Sequence, residues 1–154
     1  MKKYELTGEV KVVFGITLHR IRAVVSFGTI IKGDLGGWIE KEENLSQNNN
    51  AWVSGDAKVC GDAKVCGDAK VYGNAKVYGD AKVYGDADYI VFKNWWSSGR
   101  YFTWTRSNNM WSVGCFYGTG EELINKAYVD SEKSGREYER VVKYVESILE
   151  EEKQ

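Results

Sequence analysis

Valine returns at positions 53, 59, 65, 71, 77 and 83, and alanine precedes each by two residues, at 51, 57, 63, 69, 75 and 81, with one more at 87. Around these apolar positions the polar residues repeat as well, so that 51–88 reads Ala-Lys-Val-Tyr-Gly-Asp with small variations. A period of six fits no helix, whose apolar positions recur at three and four and which regular glycines would weaken. Collagen requires glycine at every third residue and abundant proline, and this chain has no proline. A strand fits, because Lys-Val-Tyr alternates out, in, out. Gly-Asp or Gly-Asn then turns a corner, since these residues tolerate positive φ and local side-chain hydrogen bonds. Three such strands close a triangular coil of eighteen residues, and successive coils stack through parallel ladders. That spacing sets Ser54 over Tyr72, Cys60 over Tyr78, Cys66 over Tyr84, Lys58 over Lys76 and Lys64 over Lys82. Tyr72, Tyr78 and Tyr84 thus fall on three faces, as a belt suited to self-association.

The flanks carry other patterns. In residues 1–50, Tyr4 to Leu6, Val10 to Phe14 and Ile16 to Phe27 read as strands. The glycine-punctuated stretch from Lys32 to Ile39 reads as an irregular opening coil, and Asn44 to Asn50 as a loop. A stack of coils has open ends that need covers, and Trp38 and Trp52 are the expected plugs here. In residues 89–154, turns at Ser97-Ser98-Gly99 and Ser107-Asn108-Asn109 divide three strands, 89–95, 100–106 and 110–116, in an antiparallel meander. Thr119-Gly120-Glu121-Glu122 is a capping box opening a helix that turns Leu123, Ile124, Ala127 and Tyr128 inward. Gly135 breaks the pattern, and a second helix follows with Tyr138, Val141, Val142, Val145, Ile148 and Leu149 on one face. The fold expected is mainly β. It comprises an N-terminal β cap (1–50), the repeat coil (51–88) and a C-terminal α+β domain of three antiparallel strands plus two helices (89–154).

The repeat resembles the hexapeptide motif of left-handed parallel β-helix proteins, in which an aliphatic residue is followed four later by a small one, as Val59 is by Ala63. The resemblance implies a left-handed coil and trimers along the prism faces. Leu18 to Ala23, with Gly33-Asp34-Leu35-Gly36-Gly37-Trp38-Ile39 and Asn44-Leu45-Ser46, is similar to a family of small hexapeptide-repeat proteins common in bacteriophage and prophage genomes. That implies a genomic context rather than a mechanism. Hexapeptide-repeat acyltransferases share the coil, and resemblance to them implies acyl-CoA chemistry with a histidine general base between subunits. The sole histidine, His19, lies outside the repeats.

Composition narrows the chemistry. A net charge of −1 gives no overall pull towards nucleic acid or membrane. Met-Lys-Lys-Tyr-Glu-Leu-Thr leads into no apolar run of signal-peptide or membrane-span length. Three cysteines, an odd number, suit a reducing cytoplasm. Cys60 and Cys66 read as surface thiols on adjacent faces, too far apart for a disulfide, and C-x5-C is no zinc spacing. Gly114 to Gly120 lacks the Lys-Ser/Thr of a phosphate loop and reads as a strand-to-helix turn. No catalytic constellation, metal site or cofactor is expected.

From Tyr89 to Gly118 there is no Asp or Glu, yet ten aromatics crowd beside Lys93, Arg100 and Arg106. Rings beside unopposed cations suit a ligand with a base and phosphates. Arg100, Phe102, Trp104 and Arg106 share one strand face, and with Lys93 and Trp96 they form the expected ligand-binding set. The same aromatics also suit the core of a small sheet, with the arginines at its rim. The function expected is a non-enzymatic phage-type accessory protein that captures a nucleotide-like immune signal, as a homotrimer. The alternatives are an inhibitor or scaffold that binds a host defence protein through the coil faces, and an acyltransferase.

Overall fold

A computed structural model describes residues 2–154. The protein is mainly β, with two helices and several sheets. The repeats form six short strands: β4 (Trp52–Val53), β5 (Lys58–Val59), β6 (Lys64–Val65), β7 (Lys70–Val71), β8 (Lys76–Val77) and β9 (Lys82–Val83). They pair in parallel as β4–β7, β5–β8 and β6–β9. Val53 thus lies beside Val71, Val59 beside Val77 and Val65 beside Val83, eighteen residues apart each time. These valines and the repeat alanines from Ala51 to Ala81 are fully buried along one axis. At the corner Gly61, φ is +69° and an added Cβ would lie 2.9 Å from the Gly79 carbonyl oxygen, so glycine is required there.

Before the repeats, β1 (Tyr4–Val13) and β2 (Ile16–Ala23) form an antiparallel hairpin. The glycine-rich stretch expected as an irregular coil is instead a strand, β3 (Leu35–Ile39). It pairs antiparallel with β2 and parallel with β5, which joins hairpin and coil in one sheet, β1-β2-β3-β5-β8. Its glycines permit close packing: a Cβ on Gly37 would lie 2.8 Å from both the Ala57 oxygen and Val53 Cγ1. Ile39 lies beside Val59, twenty residues on, so this first turn is two residues longer than the others. Leu45 is likewise set beside Val65, so the two extra residues fall between Leu45 and Val53, in the stretch read as a loop, while a single 3-10 turn at Glu42–Asn44 precedes it.

Trp52 is buried and met edge-on by Tyr4 and Phe27. Trp38 is not an end plug. It lies on the outer face beneath the hairpin, packed with Leu18 and Cys60, with the Lys11 amine 4.2 Å from its ring centroid. Cys60 is therefore buried rather than on the surface, and burial pushes its thiol up to about 12.

After the coil comes a sheet of four strands, one more than expected: β10 (Tyr89–Lys93), β11 (Tyr101–Thr105), β12 (Met110–Val113) and β13 (Phe116–Gly118). The short β13 was hidden because Gly114 and Gly118 bracket only three residues. One face, with Phe92, Phe102, Trp104 and Trp111, packs on α1 (Gly120–Asp130) and α2 (Glu132–Glu152). On the other face Tyr89 and Val91 close the open end of the coil. The last coil's unpaired N–H groups are met by side chains: Lys70 donates to Asp86 Oδ1, Lys76 to Thr103 Oγ1, Lys82 to Ser107 Oγ and Tyr84 to Asp88 Oδ2.

Thr119 caps α1 with Glu122 reciprocating, as the motif predicts. The break between helices falls at Ser131, which caps α2, and not at Gly135. Gly135 lies within α2, where the Tyr128 ring packs directly on it, which also leaves Tyr128 half out in solvent instead of inward. Among the described residues, no helix is long and apolar enough to cross a membrane.

Candidate functional site

The six residues expected to bind ligand form no single site: Trp96 meets Phe102 edge-on and Arg106 lies over Trp104, but Lys93 and Arg100 stand apart from them. Phe102 and Trp104 are fully buried between sheet and helices, and Trp104 Nε1 donates to Asn109 Oδ1 at 2.8 Å. Neither ring has a face to offer a ligand. The sheet needs a core under α1 and α2, and the larger apolar side chains of β11 supply it. Trp96 is half-buried, donates to Ser134 Oγ and packs edge-on to Tyr138 at 4.9 Å. Arg106 is engaged: its Nε donates to the Ala87 carbonyl, and one terminal nitrogen pairs with Glu152 at 2.6 Å. It ties the coil's end to the last turn of α2.

Arg100 and Lys93 differ. Both are exposed, and neither joins a salt bridge among the described residues. Lys93 stands opposite Tyr101 on β10, its amine 5.8 Å from the ring centroid. Arg100, just before β11, lines a trough of about 280 Å³ with Lys58, Asn74, Lys76 and Tyr101, its guanidinium also lying close to Gly114. The lysines come from one ladder, Lys58 beside Lys76, and Lys11 of the hairpin approaches Lys58 from the side. Burial lowers the Lys58 pKa, and the charges of Lys11 and Lys76 lower it further against Asp56, which raises it. Burial also lowers Lys76, with Arg100 adding to the effect. Lys58 donates to the Asp56 carbonyl at 3.0 Å. Lys11, Lys58 and Lys76 likewise join no salt bridge among the described residues. Like charges crowded without a carboxylate partner raise one another's energy, and an anion placed among them relieves it.

Sequence reading found the lysine ladder but assigned it to a broad coil face for a protein partner. Two segments distant in sequence, the coil and the start of β11, meet at the trough, with Lys11 of the hairpin close to Lys58, and no local pattern announces that. Arg100 also borders a cleft of about 290 Å³ on the other side, lined among others by Asn94, Cys115, Lys126 and Tyr138. There Lys126 is paired with Asp130, and Asn94 donates to the Tyr138 hydroxyl.

Of the tyrosines expected at a subunit interface, Tyr72 is 60% and Tyr84 56% exposed. Tyr78 is half-buried against Leu18, Trp38 and Cys60 beneath the hairpin, so the belt has only two free members.

No family model matches the chain. An uncharacterised acetyltransferase of Escherichia coli (strain K12), YdcK, is 33% identical over 61 residues. The match covers 34% of this chain and 19% of that protein, so it spans about a fifth of the relative's length. A likeness of that extent leaves open whether this chain is an enzyme.

His19, the sole histidine, is half-buried on β2 beside Val10 and Ile39. Among the described residues no hydrogen bond joins its ring to a carboxylate. Nor do the described residues hold any cluster of three or more His, Cys, Asp or Glu placed for a metal ion.

Proposed function

We propose that this protein is a non-enzymatic binding module for a nucleotide-like anion, held at the trough between coil and sheet. One observation carries the reading: Lys58, Lys76 and Arg100 line the trough beside Tyr101, with Lys11 close to Lys58, and among the described residues none of the four is in an ion pair. Charged hydrogen bonds from Arg and Lys to phosphate are strong and directional, and Tyr101 adds a ring with which a base can make contact. Within this reading the coil is a left-handed parallel β-helix, the protein is a phage-type accessory factor in the host cytoplasm, and its ligand is a nucleotide immune signal. The protein self-associates as a trimer, with Tyr84 on the coil face away from the trough as an anchor.

Native mass spectrometry of the purified protein against cyclic and linear nucleotides and CoA tests this. The expected result is a stoichiometric nucleotide adduct on a trimer, lost in Arg100→Ala and retained in Arg106→Ala. Absence of any adduct on the wild-type protein would end the small-molecule reading and turn the search to a protein target.

The likeness to an acetyltransferase favours a second reading, acyl transfer with His19 as base. It requires a CoA adduct in the same experiment and an acyl transfer activity that His19→Ala abolishes.

A further inference from the structure

The trough opens into a second, larger groove, and the two share Asn74 and Tyr101. This groove holds about 400 Å³ between the coil's corner and the edge strand β10. Its walls differ in kind from those of the trough. Tyr72 rises from the coil and Tyr101 from β11, 60% and 39% exposed respectively. Ile90 and Val91 form the apolar side, and the Tyr89 hydroxyl is turned away to the Lys70 carbonyl at 2.7 Å. What the groove presents is therefore ring and hydrocarbon. Its one charged lining residue is Asp86, of which one oxygen accepts from Lys70 N at 3.3 Å, while the other is left to accept elsewhere.

We infer that this groove takes the base of a nucleoside phosphate whose phosphates lie over Lys58, Lys76 and Arg100, and that the base carries an amino group. The inference rests on the anion reading of the trough and goes beyond it by assigning the two halves of the ligand. A phosphate has no use for tyrosine rings and isoleucine, and a base has none for three crowded cations; the adjoining cavities divide those demands. Apolar and aromatic walls with a few convergent polar groups are the usual make-up of a small-molecule site, and the combined volume lies in the usual range. The free Asp86 oxygen accepts hydrogen bonds only, so it favours an exocyclic amine. Asn74, at the junction, is placed to bond the sugar. On this assignment Tyr72 contacts ligand rather than a neighbouring subunit.

Calorimetric binding of ADP, UDP and inorganic pyrophosphate to the full chain at low salt separates the claims. The wild-type protein should bind ADP roughly tenfold more tightly than pyrophosphate, on the order of one stacked base, and more tightly than UDP. Tyr72→Leu, on an exposed coil position that tolerates the change, should erase the advantage over pyrophosphate and leave pyrophosphate binding unaltered. Lys76→Gln should weaken both. Equal affinity for ADP and pyrophosphate, or a Tyr72→Leu protein with its ADP preference intact, overturns the inference while the anion site stands. Binding of neither by the wild-type protein overturns both. If UDP binds as tightly as ADP, the amino-group assignment at Asp86 is wrong.

Discussion

Asn44 is completely buried and uses every hydrogen-bonding position of its amide productively. Its oxygen accepts from the backbone of Glu40 and Lys41, and its nitrogen donates to the carbonyls of Gly61 and Ala63 in the next coil. Asn44→Ala should cost about 3 kcal/mol, the upper end for buried groups left unpaired, read as a lower urea midpoint. Lys3 does similar work at the coil's first end. Its amine donates to Ala51 O at 2.6 Å and lies 4.7 Å from the centroid of the Phe27 ring. Burial pulls its pKa down to about 8 from 10.5. Between those values the unfolded chain holds the proton and the folded one has lost it, so this residue makes stability rise with pH across that window. The raised phenols of Tyr4 and Tyr89 act in the opposite sense above pH 10, where the unfolded chain ionises first. Thermal melts from pH 7.5 to 9.5 should show the rise, and Lys3→Met should reduce it, the lowered Lys58 and Lys76 leaving a remainder that the raised Cys60 thiol opposes at the upper end.

Elements whose reason for existing is local were legible in the sequence: the strands of the repeat, the corners, and the capped start of α1. Elements decided by distant partners were not. Leu35–Ile39 reads as irregular because of its glycines, yet those glycines let β3 lie between β2 and β5. Gly135 reads as a helix breaker, but its missing side chain is what admits Tyr128 from α1. Gly135→Ala should therefore destabilise the protein by about 1–3 kcal/mol through overpacking, despite alanine's better helix propensity. Combining it with Tyr128→Ala should recover most of that loss in a double-mutant cycle. The candidate site was half legible. Arg100 and Lys93 stood out as cations without nearby acids, whereas the rings of Phe102 and Trp104 are consumed by the core. Which face of β11 met the helices could not be told from alternation alone, since both faces are covered.

Over the whole molecule, the trough draws on coil and sheet, with Lys11 of the hairpin acting on Lys58, so its charge state reports on their assembly. A bound phosphate should lift the lowered Lys58 and Lys76 back towards the ordinary lysine value, against Lys11 and Arg100 and with Asp56. Binding should then take up protons at pH values below the ordinary lysine pKa and weaken as pH rises through it. Calorimetry in buffers of different ionisation heat would show this as a buffer-dependent enthalpy, and buffer-independent heats would argue against it. The terminal sheet meets the coil through Asp86, Thr103, Ser107 and Asp88, which grip the amides of Lys70, Lys76, Lys82 and Tyr84. Every turn of the repeat offers amides at those same places. The coil is in effect a ruler with identical graduations: splicing in eighteen more residues of the phrase should shift the sheet outward by one strand spacing, about 4.8 Å, with the same grips re-formed. Length could then be dialled in this chain without redesigning either end.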